Sequence, residues 1–274
     1  MSSLDAGAIR DSLREDVAAR LSRFEVFPEI ASTNTHLMEQ DAPPQGQARV
    51  AITDNQTMGR GRHGRTWHSP PGSGLCVSVA YTFAINPTNL PALTLAIGLG
   101  AIEALEELGV PGVQLKWPND LIAADGKLGG ILTETKSHIS GAISIVSGLG
   151  INVNLGEKPD LGFETGQTLG VVDLAGLVAT LPSRHTLAVR LIEGLCQTFV
   201  HYEAGGFERF AGKWSDRDWL VGRALTVDAP QCQVTGVGAG IDQDGALLVD
   251  TGSAAASRVT SGSVVMADIR KAEA

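Results

Sequence analysis

The most unusual segment of the chain is a glycine- and arginine-rich stretch, QTMGRGRHGRTW, at residues 56–67. It holds three arginines in a chain whose formal net charge is −9. Glycines let a backbone wrap closely around an anion, and guanidinium groups present paired donors that match carboxylate and phosphate oxygens. The segment therefore suggests a site for a ligand with several negative oxygens. A solvated basic loop or a nucleic-acid patch is the alternative interpretation.

Two lysine-containing clusters follow this segment. In KWPND, at residues 116–120, Lys116 could neutralise phosphate charge, and Asn119 with Asp120 could hold Mg²⁺ or its water shell. In GKLGGIL, at residues 126–132, Lys127 could reach a pocket beside the sheet and pair with a substrate carboxylate. A proline turn and a hairpin, each with a solvated lysine, are the structural alternatives. No GxxxxGK[ST] phosphate loop is present in the sequence.

Two neutral segments complete the set of candidates. Ser32, Thr33 and Asn34 supply two hydroxyls and an amide, which suffice to bind a neutral polar head group. An ordinary helix cap explains the same tripeptide. GLGIN, at residues 148–152, ends an apolar run, and its glycines would allow a ligand to lie close to the strand.

The predicted strands and helices that carry these segments do not follow a regular βαβ alternation. The apolar spacing predicts helices over residues 12–24, 33–40, 90–108 and 185–216, and strands at residues 25–27, 49–54, 75–83, 113–117, 121–125, 127–135 and 142–154. Such an order indicates an α+β fold with a mixed sheet packed by helices. Beyond Trp219, short β-runs with a DQDG hairpin signal predict a small β-barrel. We expect domains at residues 1–218 and 219–274.

Composition limits the classes of function. With 43% hydrophobic and 19% charged residues, no apolar run of membrane-spanning length and no secretory signal, the chain is expected to be a cytoplasmic enzyme. Cys76, Cys196 and Cys232 lie too far apart for a metal clip and are expected to be buried. The acidic balance argues against a surface adapted to nucleic acid.

Five segments, STN, QxxGRGRHGRTW, KWPNDL, GKLGGIL and GLGIN, resemble in their order the catalytic motifs of biotin protein ligases. The C-terminal β-rich stretch resembles the SH3-like domain of that family. The resemblance implies a class II synthetase-like fold, ATP and biotin as substrates, Mg²⁺, and transfer of biotin from biotinyl-5′-AMP to a lysine of a biotin carboxyl carrier domain. We expect a short form without the N-terminal DNA-binding domain of some members, and therefore no DNA binding. The sequence leaves a homodimer open.

The resemblance also implies roles for individual residues. Catalytic roles are implied for Arg60, Arg62, Asp120 and Lys127, and Mg²⁺ would lie near Asn119 and Asp120. The biotin side would comprise Ser32, Thr33, Asn34, Gln56, Gly59, Arg60, Gly61, Arg62, Lys127, Gly130 and Gly148. The ATP side would comprise Arg62, Arg65, Trp67, Lys116, Asn119 and Asn152. His63 departs from the family pattern and receives no role. We expect the loop of residues 59–67 to be mobile without ligand and ordered with the adenylate.

The residue types fit this chemistry without the resemblance. A carboxylic acid is already a nucleophilic anion at pH 7, so its attack on a phosphate needs charge neutralisation and alignment. An acceptor lysine must lose a proton, and Asp120 is the candidate base. The rival interpretations are a lipoate ligase or another acyl-adenylating ligase of the same fold, and a non-catalytic biotin or nucleotide sensor.

Overall fold

The chain folds around a large mixed sheet with helices on both faces. The computed structural model describes residues 4–87, 89–137, 142–156, 169–230 and 232–266. In chain order the elements are α1 (Ala6–Ser12), α2 (Glu15–Ala18), β1 (Leu21–Phe27), α3 (Thr33–Glu39), β2 (Ala48–Thr53), β3 (Gly74–Thr82), α4 (Leu93–Glu107), β4 (Gln114–Lys116), β5 (Asp120–Ala123), β6 (Gly126–Ser137), β7 (Ile143–Asn152), β8 (Gly170–Val171), α5 (Arg184–Gly205), α6 (Glu208–Trp214), β9 (Ala224–Asp228), β10 (Gln233–Ile241), β11 (Leu247–Asp250), β12 (Ser257–Val259) and β13 (Ser263–Met266).

The eight-stranded sheet has the order β1-β2-β3-β7-β6-β5-β4, with β8 paired to β6. The pairs β1 with β2 and β6 with β8 are parallel, and the other pairs are antiparallel. Antiparallel neighbours need only short connections, so the lysine-bearing segments before β5 and within β6 come together at one end of the sheet. The predicted α+β class with a mixed sheet is confirmed.

The two faces of the sheet bury different side chains. On β3, Leu75, Val77, Val79 and Tyr81 join the main core, which also contains the apolar residues of α4 and α5. The alternate position Ala80 packs instead with Leu37 of α3 on the opposite face. Successive strand side chains point to opposite faces, so Cys76 and Ser78 also belong to the α3 face. That face carries the polar groups from which a site can be built.

Helix boundaries follow local signals. Ser183 caps α5 by accepting a hydrogen bond from the backbone N–H of Thr186, and Ser32 caps α3 in the same way. The predicted helix at residues 90–108 is observed as Leu93–Glu107, and Gly109 follows it with φ +77°. A left-handed residue at this position ends a helix at little steric cost when it is glycine.

The N-terminal helix predicted over residues 12–24 is wrong. The structure breaks this stretch into α1, α2 and β1. Leu13, Val17 and Leu21 are all buried, as their spacing predicts, but they lie in or beside three separate elements and not on one helix. The break has a tertiary cause, because the backbone N–H of Arg14 donates to Oε1 of Glu193 on α5 at 2.7 Å instead of continuing a helix.

The C-terminal strands form a separate five-stranded antiparallel sheet, in the order β12-β11-β10-β9-β13. The DQDG segment joins β10 to β11, where the carboxylate of Asp242 accepts hydrogen bonds from the backbone N–H groups of Asp244 and Ala246. This confirms the predicted hairpin. Leu225, Val227 and Leu247 of this sheet belong to the same core cluster as the large sheet.

The burial of the three cysteines differs from the prediction at one position. Cys76 and Cys196 are buried as predicted, but Cys232 is exposed, so that part of the prediction is wrong. Burial raises the pKa of the Cys76 thiol to about 11.

Within the described ranges, no helix combines the length and apolarity that a bilayer crossing requires.

Asp218 lies where the chain passes from α6 to the C-terminal sheet. Its carboxylate is buried and accepts hydrogen bonds from Trp214 Nε1 and from the backbone N–H of Leu220, both at 2.9 Å. We expect Asp218→Ala to lower the free energy of unfolding by about 2–6 kcal/mol, because two buried donors lose their acceptor at about 1–3 kcal/mol each. Denaturant unfolding measures this. The exposed neighbour is the control, and Asp216→Ala should change stability by less than about 0.5 kcal/mol.

The same carboxyl makes stability depend on pH. Burial raises the pKa of Asp218, so the folded state binds more protons than the unfolded state between the ordinary and the raised pKa. The stability that the neutral carboxyl contributes is fully present below the ordinary pKa and is lost as the pH rises through the raised pKa. Asp218→Asn cannot ionise, so its unfolding free energy should fall less across that range. Identical pH profiles would contradict this assignment.

Candidate active site

One cavity on the α3 face brings the predicted segments together. Its volume is about 230 Å³, and β3, β6 and β7 form its floor. Every predicted site residue lines it except Gly59 and Asn152. The cavity also receives residues 262–265 from the C-terminal sheet.

A network of neutral polar groups forms the inner wall. Ser78 Oγ donates to Asn34 Oδ1 at 2.7 Å and lies 2.7 Å from Thr33 Oγ1. Gln56 Oε1 accepts hydrogen bonds from the backbone N–H and the hydroxyl of Thr33. These side chains are held by one another, so the wall is preorganised for a neutral polar head group. Ser32 both caps α3 and lines the cavity, so the cap and the site interpretations are compatible.

The glycines of β7 make room for protein side chains, and the close approach of a ligand to this strand stays a prediction. A Cβ at Gly148 would lie 2.1 Å from Asn34 Oδ1 and 2.9 Å from Ser78 Oγ. A Cβ at Gly150 would lie 2.5 Å from Cε2 of Trp67. The missing side chains let Asn34 and Trp67 pack onto the sheet, which is their physical role here.

The arginine-rich loop forms a tight hairpin above this floor. Gly59 and Trp67 are joined by a backbone hydrogen bond of 2.9 Å, and Gly61 and Arg65 by one of 2.7 Å. A Cβ at Gly59 would lie 2.3 Å from the carbonyl oxygen of Trp67, so glycine is required for the closure of the loop itself. His63 at the tip is exposed, has φ +55° and lies at the rim of the cavity, so its lack of a role stays a prediction. The ligand-dependent mobility of the loop stays a prediction.

Lys127 meets Asp120 at the end of the sheet. Its Nζ lies 2.7 Å from Asp120 Oδ1 and 5.8 Å from the centroid of the Trp67 ring. The chain does form a hairpin between β5 and β6 here, with Ala123 opposite Gly126, but the lysine is half-buried rather than extended into solvent. Asn152 Nδ2 donates to the backbone carbonyls of Lys127 and Val172 from outside the cavity wall. It therefore fixes the strand that carries the lysine.

Three further cations stand near this pair. Arg62 Nη1 lies 3.4 Å from Asn119 Oδ1, and Lys116 Nζ donates to the backbone carbonyl of Val264 at 2.9 Å. Burial lowers the pKa of both Arg62 and Lys116, because the charged forms lose hydration. The charge of Asp120 opposes this shift in both groups, and the charge of Arg65 adds to it by a smaller amount. Desolvated cations held close to one another gain most from an anion, so the cavity is suited to a polyanionic ligand.

Carboxylates are scarce at the cavity. Among the lining residues that the structure describes, Asp120 alone carries one. Nor do the described residues contain a group of three or more His, Cys, Asp or Glu side chains that could hold a metal ion. Asn119 directs its amide Nδ2 to the carbonyl of Ile131 and its oxygen toward Arg62. Any divalent ion here would need most of its oxygens from a ligand or from water.

Sequence reasoning missed several residues of the site. Ser78 could have been found as a small polar residue in an apolar strand, on the face of Cys76 and Ala80. Glu134 shares the face of Gly130 and Leu132 on β6 and reaches Asn34 Nδ2 at 3.1 Å. The contact with Val264 uses a backbone carbonyl, which no residue type signals.

Comparison with known proteins identifies the family. Residues 26–152 match the biotin/lipoate A/B protein ligase family. The bifunctional ligase/repressor BirA of Escherichia coli (strain K12) is 34% identical over 225 residues, which cover 82% of this chain and 68% of that protein. The chain belongs to the biotin protein ligase family. The biotin--[acetyl-CoA-carboxylase] ligase of Mycobacterium tuberculosis (strain H37Rv) is 30% identical over 91% of both chains.

The fold supports this membership. Biotin protein ligase from Aquifex aeolicus, in complex with biotin and ATP, superposes with a TM-score of 0.74 at 27% identity, over 90% of this chain and 100% of that one. The resemblance drawn from the five motifs and the assignment of the chain as an enzyme of the ligase class are thereby confirmed.

Gly148 provides a test of the site's construction. Gly148→Ala would force Asn34 and Ser78 to shift, and overpacking of this kind costs about 1–3 kcal/mol. We expect the free energy of unfolding, measured by denaturant titration, to fall by that amount. Gly212→Ala in α6 is the matched control, because nothing lies within 4 Å of a Cβ there. A Gly148→Ala protein as stable as this control would disprove the close packing of Asn34 on β7.

Proposed function

We propose that the cavity binds biotin and ATP, joins them as biotinyl-5′-AMP, and transfers the biotin to a lysine of a biotin carboxyl carrier domain. The observation that carries the proposal is the juxtaposition of two kinds of wall. Ser78, Thr33 and Asn34 offer a fixed set of neutral polar groups, and Lys127 with its neighbouring cations lines the other end. A molecule with a neutral polar head and a carboxylate matches the two ends.

The first step needs cations rather than a base. The biotin carboxylate would attack the α-phosphorus of ATP, forming the mixed anhydride and releasing pyrophosphate. Both reactants are anions, so their approach is opposed until positive charge is placed between them. Lys127 would contact both the carboxylate and the α-phosphate. Arg62, Arg65 and Lys116 would receive the charge that develops on the departing phosphates.

The second step needs a neutral amine. The acceptor lysine would attack the acyl carbon, and AMP would leave with the bonding electron pair. Asp120 would take the proton of the amine, but its carboxylate contacts Lys127 at 2.7 Å. We infer that binding of the anionic adenylate draws Lys127 away from Asp120 and so releases the carboxylate for this task. One salt bridge would then keep both groups in position until the intermediate exists.

Mg²⁺ fits the site as a companion of ATP. Asp120 supplies a carboxylate and Asn119 an amide oxygen, while Arg62, Lys116 and Lys127 would repel a metal ion that arrived without phosphate. A bound Mg²⁺ would neutralise phosphate charge, and it commonly takes one or two protein carboxylates with the rest of its oxygens from phosphate and water. We therefore expect Mg²⁺ to bind only with ATP.

We propose roles for the other predicted site residues as well. Asn34, Thr33 and Gln56 would serve biotin, and Trp67 with Asn119 would serve the nucleotide. We propose residues 1–218 as the catalytic domain and residues 219–274 as the C-terminal domain. The proposed absence of DNA binding is tested by a DNA mobility-shift assay, the homodimer by sedimentation, and the cytoplasmic location by cell fractionation.

The decisive experiment is incubation with labelled biotin, Mg-ATP and a biotin carboxyl carrier domain. We expect label to become bound covalently to one lysine of the carrier. ATP–pyrophosphate exchange, run with biotin and separately with lipoate, measures the first step alone. Exchange with lipoate and not with biotin would replace the proposal by lipoate ligation, and exchange with neither would indicate a sensor.

Lys127 should control the first step. We expect Lys127→Ala to lower the rate of biotin-dependent exchange by at least about 10²-fold, comparable to the loss of one oxyanion-stabilising donor. Lys213→Ala is the control, because Lys213 pairs with Glu103 between α6 and α4, outside the cavity. It should exchange at the wild-type rate. Exchange by Lys127→Ala at the wild-type rate would remove Lys127 from the mechanism.

A further inference from the structure

Glu134 of β6 joins the arginine-rich loop to the polar wall of the cavity. Its two oxygens accept a two-pronged pair of hydrogen bonds from Arg60, with Nη2 to Oε1 at 2.9 Å and Nη1 to Oε2 at 3.2 Å. Oε2 also accepts a hydrogen bond from Asn34 Nδ2 at 3.1 Å. One carboxylate oxygen thus serves a residue of the loop and a residue of the pocket wall.

This contact differs from those that shape the loop. The backbone hydrogen bonds of Gly59 with Trp67 and of Gly61 with Arg65 hold the hairpin to itself. Arg60 instead reaches across to β6, and its Nη1 also lies 3.4 Å from the hydroxyl of Thr35 on α3. The guanidinium therefore attaches the hairpin to the opposite side of the cavity.

The pairing with Glu134 also indicates that Arg60 does not supply unpaired positive charge to a ligand. Both terminal nitrogens of Arg60 are directed to Glu134, so its charge is matched by a carboxylate. Arg62, by contrast, faces an amide oxygen at 3.4 Å and the more distant charge of Asp120 among the residues that the structure describes. Arg60 is suited to fastening the loop, and Arg62 to meeting phosphate.

We propose that Glu134 is a positioning residue that latches the arginine-rich loop over the bound intermediate from an anchor in the pocket wall. Asn34 Nδ2 also donates to the carbonyl of Leu132 at 2.9 Å, so Glu134 accepts from a donor that is already fixed, and Glu134 in turn orients Arg60. The proposal rests on the proposed function, since the latch retains biotinyl-5′-AMP. Its effect is to keep a mixed anhydride from water and from foreign amines until the carrier arrives.

The latch should affect retention more than folding. Arg60 and Glu134 are 46% and 21% exposed, and pairs this accessible contribute little to the stability of a fold. Glu134→Gln preserves the size of the side chain and an acceptor for Asn34, but it removes the charge. Arg60→Gln removes the other half of the pair from an exposed loop.

The test measures three quantities for Glu134→Gln, Arg60→Gln and the double variant. They are exchange at saturating biotin, the biotin concentration for half-maximal exchange, and the fraction of activated biotin that escapes to water or to added free lysine. Glu134→Gln should exchange within about threefold of wild type at saturating biotin. Both single variants should need more biotin for half-maximal exchange and leak about tenfold more, as for the loss of one charge-assisted contact. The double variant should leak no more than either single one, because the two residues act as a unit.

Three outcomes would overturn the proposal. They are wild-type leakage by Glu134→Gln, leakage by the double variant that multiplies to about a hundredfold, or a loss of exchange at saturating biotin with unchanged leakage. Glu103→Gln, which breaks the ion pair with Lys213 away from the cavity, is the matched control and should behave as wild type.

A further variant separates a loss of folding stability from a loss of the latch. If Glu134→Gln unfolds at a lower temperature, Arg60→Lys decides the question, because it keeps the charge but cannot donate two parallel bonds. Raised leakage in Arg60→Lys supports the latch, and wild-type leakage overturns it. Failure of the proposed function is recognised independently, since the wild-type protein would then show no biotin-dependent exchange.

Discussion

The burial of several cations around one cavity is the constraint on which the rest of the structure depends. Lys116, Lys127, Arg62 and Arg65 must stand close together before any anion arrives. Each of the first three is held by a different partner: a backbone carbonyl from the C-terminal sheet, the carboxylate of Asp120, and the amide oxygen of Asn119. Burial raises the free energy of the charged forms of Lys116 and Arg62, the charge of Asp120 lowers it, and repulsion by the neighbouring cations raises it by less. A bound polyphosphate would therefore lower the free energy of these charged side chains.

The α3 face of the sheet shows how room is made for such a site. Apolar side chains cover the opposite face, whereas the α3 face loses its side chains at Gly148 and Gly150. Asn34 and Trp67 then lie directly on the strands, where packing fixes their orientation. A ligand consequently meets side chains already held by the sheet. This arrangement favours binding without the entropy of ordering those groups.

Local patterns predicted the parts of the fold whose cause is local. Helix α4 ends before Gly109, and the β10 to β11 hairpin forms at DQDG, because in each case nearby residues set the backbone. The break after Leu13 escaped prediction because its cause, Glu193, lies 179 residues away in sequence. Glu134 escaped for a related reason: its partners Arg60 and Asn34 are 74 and 100 residues distant. Spacing identifies a candidate group but not the partner that defines its role.

The KWPND segment links the cavity to the C-terminal sheet through two consecutive residues. Lys116 donates to the carbonyl of Val264 on β13, and Trp117 Nε1 donates to the carbonyl of Gly245 beside β11. Both acceptors are backbone atoms, so their positions depend on the sheet as a whole and not on the identity of a side chain. Separation of the sheet from the rest of the chain would leave the indole N–H and the partly desolvated ammonium without acceptors. It would also remove residues 262–265 from the cavity wall. The proposed boundary near residue 218 therefore divides two sheets, while residues of both line the cavity.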